Sequence, residues 1–151
     1  MGLHAVKAPD DTALRDLRRE RFGTYFPRVF AYAGSLTGDE ATATEVVLEA
    51  FTRVFARSPY LSSDDFSAVL FGFARDLCRA VSAHRRRPPD GLSPRERDVI
   101  ALVFDAQLSR QEIVAILGVK SESVASILLK GLRKLRESSP SRAAASLPGR
   151  T

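Results

Sequence analysis

One cysteine, one methionine, two histidines and no tryptophan occur in 151 residues, and each scarcity closes off some chemistry. The lone Cys78 cannot make a disulfide within the chain, which fits a reducing compartment, the cytoplasm. It stands in an apolar helical stretch and reads as a buried structural thiol. His4 and His84 lie far apart in the sequence with no second ligand beside either, so no metal site is expected. No apolar run approaches the ~18 residues of a membrane span. The N-terminus, MGLHAVKAPDD, lacks the apolar stretch of a secretory signal. A Gly-rich phosphate loop, a Ser/His/Asp arrangement and paired carboxylates in a polar setting are all missing. No cofactor is implied, and nothing in the sequence points to an enzyme.

What remains is a basic, helix-patterned chain. Hydrophobic residues make up 44% and charged residues 27%, with a net charge of +5. That composition permits a core and favours a polyanionic partner. Apolar residues recur at spacings of three and four, and alternating runs are absent, so the fold class expected is all-α. Residues 1–10 and 138–151 read as disordered tails. A helix is expected from Asp11 or Thr12, carrying Ala13, Leu14 and Leu17. Its apolar surface continues through Phe22, Tyr25, Phe26, Val29, Phe30 and Ala33, past a break near Gly23 or Pro27. Leu36-Thr37-Gly38-Asp39 reads as a stop and restart, with Thr37 or Asp39 capping the helix that follows. That helix runs from about Glu40 to Arg57, with Ala43, Val46, Val47, Ala50, Phe51, Val54 and Phe55 inward. Ser62 or Ser63 caps another, whose stripe is Phe66, Val69, Leu70, Phe73, Leu77, Ala80 and Val81. Its end is basic, and Pro88-Pro89-Asp90-Gly91 then breaks the chain. Two small helical domains result, 11–87 and 92–137, joined by a short linker at 88–91.

The second domain has the sharper signature. LSPRERDVIALVFDAQLSRQEIVAILGVKSESVASILLKGLRKLR contains two capping boxes, Ser93 with Glu96 and Ser109 with Glu112, and Pro94 at a first helical position. Gly118 ends the short middle helix where a left-handed residue is needed. Ser121 or Ser123 starts the last helix, whose end is basic. A short helix, a tight turn and a longer helix form a helix-turn-helix, the geometry that seats a helix in the DNA major groove.

Across residues 12–137 the chain resembles an extracytoplasmic-function (ECF) sigma factor of bacterial RNA polymerase, of the sigma-70 superfamily, built from region 2 and region 4. YFPRVFAYAGSLTGDEATATEVVLEAFTRVFAR resembles the aromatic helix, Leu-Thr-Gly-Asp turn and acidic polymerase-binding helix of region 2. DDFSAVLFGFARDLCRAVSAHRRR resembles its long helix ending in arginines. The segment from Leu92 resembles region 4. The resemblance implies binding to core RNA polymerase through Glu45, Leu48, Glu49, Thr52 and Arg53. It implies contact with promoter DNA near the start site through Arg75, Asp76, Arg79, Arg85, Arg86 and Arg87. It implies reading of a more distant promoter element through Lys120, Ser121, Ser123, Ser126 and Lys130, with Arg133 and Lys134 near phosphates. Phosphate contacts would supply affinity and base-edge contacts the choice of promoter.

The chain departs from the family pattern in four places. Ala125, Ile127 and Leu129 stand on the last helix where the family often carries basic or polar residues. With Val124, Leu128, Leu132 and Leu135 as the buried row, Ile127 and Leu129 point at least partly outward, which suits a protein interface. About six residues from Arg87 to Leu92 span at most ~20 Å, whereas two elements two helical turns apart lie roughly 70 Å from each other. So short a connector favours packing of the two domains on each other. Val69 replaces a common tryptophan, and Leu48 a common glutamine. Two readings therefore stand side by side. One is a working sigma factor. The other is a sigma-like protein that reads no DNA and binds an anti-sigma factor or other regulator through the same surfaces.

Overall fold

The computed structural model describes residues 2–57, 61–82 and 90–138, with side chains from Thr12 onward. Among these residues the fold is all-α. The elements are α1 (Gly2–Thr37), α2 (Glu40–Arg57), α3 (Ser63–Ser82), α4 (Pro94–Ile100), α5 (Arg110–Leu117) and α6 (Ser121–Ser138); a π-helical turn, Ala101–Asp105, extends α4.

Helix α1 differs from expectation at both of its uncertain points. It is helical from Gly2, where a tail was expected, and it runs through Gly23 and Pro27 without a break. Pro27 cannot donate to the carbonyl of residue 23, and its ring crowds that same carbonyl. Both residues are exposed, so water can take the freed oxygen. Packing of Tyr25, Val29, Tyr32 and Ala33 in the core then holds the helix on either side.

The turns follow the local chemistry. Thr37 Oγ1 donates to the Ala33 carbonyl at 2.8 Å, and Gly38 leaves α1 at φ 69°. Asp39 caps α2, accepting from the Thr42 N–H at 3.0 Å and from the Thr42 hydroxyl. Ser62 caps α3, its hydroxyl accepting from the Asp65 N–H at 3.2 Å, with Asp64 and Asp65 favourably placed at the positive end of the helix.

The first three helices share an aromatic core in which Phe51, Phe55 and Phe66 meet with ring centroids 5.7–6.5 Å apart. In α2 the buried residues are Ala43, Val46, Val47, Ala50, Phe51 and Val54, the row expected, with Phe55 half-buried beside it. In α3 the buried stripe is turned from the one expected. Phe66, Ser67, Leu70, Phe71, Ala74 and Cys78 are buried, while Ala80 and Val81 are exposed. The reason is that α3 packs on two sides, against α1 and α2 and also against α5.

One core therefore runs through both parts of the chain. Val29, Tyr32, Leu70, Phe71 and Ala74 belong to the same buried cluster as Val99, Leu102, Ala106 and Ile113. The halves pack on each other, as the short connector favoured. Pro88 and Pro89, taken as the break between them, lie outside the described residues.

Candidate nucleic-acid and protein interfaces

The helix-turn-helix is built by its two capping boxes. The Ser93 hydroxyl accepts from the Glu96 N–H at 3.1 Å, and the Glu96 carboxylate accepts from the Ser93 N–H at 2.9 Å. Ser109 and Glu112 repeat the arrangement at 3.1 and 2.8 Å. Each box satisfies two donors that the start of a helix would leave orphaned. Asp90 fixes the entry to α4, accepting from the Leu92 N–H at 3.1 Å and from Arg97 at 2.7 Å. Burial works against its charge, but Arg97 and the Leu92 N–H hold the Asp90 carboxyl below the usual range. Gly118 ends α5 at φ 68°, and its N–H donates to the Val114 carbonyl at 2.8 Å, as a left-handed cap requires.

Helix α6 crosses α4 closely. A Cβ on Gly131 would lie 2.9 Å from Ile100 Cδ1 and 3.3 Å from Glu96 Cβ, so the missing side chain is what admits the contact. Lys134 donates to Glu96 at 2.9 Å across this crossing. The Ser93 N–H and Lys134 together hold the Glu96 carboxyl below its ordinary value. Lys134, expected near phosphates, is thus engaged in the fold.

Most of the other expected DNA contacts on this unit are accessible. Lys120, Ser126, Lys130 and Arg133 are exposed, and Ser121 and Ser123 half-buried. Glu122, Ser126, Lys130, Arg133 and Glu137 follow spacings of three and four, so they form one outward stripe. Its centre is basic and its ends acidic.

The apolar side of α6 is arranged differently from the expected row. Val124 and Gly131 are the buried residues. Ile127 and Leu128 are half-buried against the core. Leu132, expected inside, is 37% exposed, and Leu129 50%. Ile127 is thus committed to packing, and Leu129 is the large apolar side chain that the expected interface trio offers to solvent, with Ala125 half-buried beside it. Leu129 and Leu132 edge an open groove of about 460 Å³ whose floor includes Val103, Leu108, Ile113, Val124 and Leu128. Phe104, on the π-helical turn, is 56% exposed.

On the N-terminal helices, Glu45, Leu48, Glu49, Thr52 and Arg53 are all exposed along α2. Arg53 donates to Glu49 at 2.9 Å on that open surface. Asp76 and Arg79 are exposed on α3, whereas Arg85, Arg86 and Arg87 lie outside the described residues.

Arg75 does not occupy the exposed side expected of it. Its Nε donates to Asp98 at 2.5 Å, and the Tyr32 hydroxyl donates to the other oxygen of the same carboxylate at 2.5 Å. Burial first, then the Asp98 charge and hydrogen bond, push the Tyr32 phenol well above its usual value. It is therefore a proton donor at any ordinary pH. Burial, followed by the Asp98 charge, also pushes the nearby Cys78 thiol up to about 12. Two further links join the halves. Arg28 donates to the carbonyls of Ala106 and Gln107 at 2.7 and 3.2 Å. The Ser67 hydroxyl donates to Glu112 at 3.1 Å. Arg28, Tyr32, Ser67 and Asp98 carry no motif in sequence; their roles arise only when segments 23 to 79 residues apart meet.

No curated protein matches the chain. Residues 90–137 match the family model described as Sigma-70, region 4, so the C-terminal part of this protein is similar to the helix-turn-helix domain of sigma factors, a similarity that points to a sigma-factor-like role in transcription.

Proposed function

We propose that the protein is an ECF-type sigma factor that binds core RNA polymerase and directs it to promoters in the bacterial cytoplasm. The observation that carries this reading is the outward stripe of α6, where Ser126, Lys130 and Arg133 stand exposed on the last helix of a region 4-like unit. Lys130 and Arg133 suit phosphate oxygens, and Ser126 and Lys130 suit base edges. The exposed side of α2, with Glu45, Leu48, Glu49, Thr52 and Arg53, is the surface we assign to polymerase. Exposed Arg79 is assigned to DNA nearer the start site, together with Arg85 to Arg87. Arg75 and Lys134 are withdrawn from the DNA set in the packed form, because each already holds a carboxylate.

A second reading has its own observation. Leu129 and Leu132 leave an apolar surface at the edge of the groove, and such a patch fits a protein partner better than a phosphate backbone. In this reading the chain is sigma-like and binds an anti-sigma factor or another regulator instead of DNA. Lys130→Ala separates the two. A DNA-reading α6 loses promoter affinity with this substitution, and the slope of log K against log salt falls by about one counterion. Unchanged DNA affinity together with unchanged transcription in vitro favours the regulator-binding reading.

A further inference from the structure

The contact between the halves adds polar links to the apolar core that the two parts share. Helices α1, α2 and α3 meet through phenylalanines and aliphatic side chains. Across the halves, small and apolar residues surround polar links: Arg28 to two carbonyls, Ser67 to Glu112, and Tyr32 and Arg75 to Asp98. Asp98 is the hub, because one carboxylate receives a phenol from α1 and a guanidinium from α3. Its side chain is 8% exposed and that of Arg75 20%. These polar groups are well solvated once separated, so water offsets much of what parting them loses, while the apolar cluster around them, with Val29, Leu70, Phe71, Val99 and Leu102, favours the closed form. The same geometry makes the contact conditional, since removing one partner strands the other in a buried place.

We propose that this interface is a latch centred on Asp98, closed in the resting protein, and that its opening frees the Arg28 and Arg75 guanidinium groups to bind nucleic-acid phosphate. The closed form occupies both arginines with acceptors of the helix-turn-helix unit and covers the side of α5 that faces α3. Helix α6 packs on α4 and α5 and keeps its outward stripe in either form. Opening therefore adds phosphate contacts to a surface that is already accessible. The proposal deepens the sigma-factor reading, but its first test needs neither promoter nor polymerase.

The test uses the full chain with dyes on cysteines placed at Ala41 and Arg136, exposed positions on α2 and α6 outside the surfaces assigned to polymerase and DNA. Cys78, buried near Asp98, is changed to Ala in every variant so that opening exposes no third labelling site. Energy transfer is measured in free protein carrying Asp98, Asp98→Ala or Tyr32→Phe, with helix content followed by circular dichroism. A nonspecific duplex is then added over a range of salt. The expected result is high transfer with Asp98 intact, and a fall in transfer with helix content retained in Asp98→Ala. Tyr32→Phe lies between. The opened variant binds the duplex several-fold more tightly, with a salt slope steeper by one to two counterions, about one for each freed arginine. Unchanged transfer in both variants overturns the latch, as does opening without a gain in duplex affinity. Should Asp98→Ala lose its helices, Tyr32→Phe decides alone: reduced transfer with helices intact supports the latch, and any other result overturns it. A working latch in a protein that ignores core polymerase would refute the sigma-factor reading and leave the latch standing.

Discussion

A single non-glycine residue carries the backbone strain of the helix-turn-helix. Gln107 has φ 56°, the left-handed region that costs an ordinary side chain about 1 kcal/mol. It is exposed, directly after the residue where the π-helical turn ends, and its carbonyl accepts from Arg28. The chain must turn sharply there to start α5 at Ser109, and Arg28 holds the turn from outside. Glycine reaches the same φ without a Cβ clash, though it leaves the unfolded chain freer. Gln107→Gly should therefore stabilise the protein modestly, by about 0.5 kcal/mol, read as a higher urea midpoint at unchanged slope. A fall in midpoint would mean that the glutamine side chain contributes more than its backbone costs.

At the scale of the helix, the start of α4 is also the anchor of α6. The Glu96 carboxylate accepts from the Ser93 N–H and from Lys134, and both contacts lower its proton affinity. With the folded value below the unfolded one, the unfolded chain takes up this proton first as pH falls. The stabilisation is complete above the usual carboxylate range and is lost as pH drops through the lowered folded value. Glu96→Gln keeps an oxygen for the cap and removes the charge. Its melting temperature should lie below that of the parent at neutral pH, and the two curves should converge in acid. Parallel curves from neutral to acid pH would show that the charge is not what stabilises the crossing. This box was legible in the sequence because it is local: a serine, a glutamate three residues on and a proline between them suffice. Gly118 and the buried row of α2 were legible for the same reason. The partner of Lys134 was not, since it lies 38 residues away. Nor was the register of α3, because a helix buried on two sides has no single stripe to read. Leu132 was misplaced because Gly131, an ordinary weak point in a helix pattern, is where α6 makes its close approach to α4.

For the molecule as a whole, size limits what the closed form can touch. A compact chain of this length is roughly 40 Å from side to side, and its longest element, the 36-residue α1, spans about 54 Å. Two promoter elements separated by two turns of DNA lie roughly 70 Å apart. A body held together by Asp98, Arg28 and Ser67 cannot reach both, however basic its surface. One turn of duplex is within its span, and Lys120, Lys130 and Arg133 offer the cations to hold it. Hydroxyl-radical footprinting of the protein alone on a long duplex should accordingly give one continuous protected patch of about one helical turn, roughly 10 base pairs. Arg133→Ala should weaken that patch, with loss of about one counterion from the salt dependence. Two patches separated by about two turns, seen without polymerase, would require the halves to stand apart already in the free protein, and the packed arrangement of α3 against α5 could not then be its resting form.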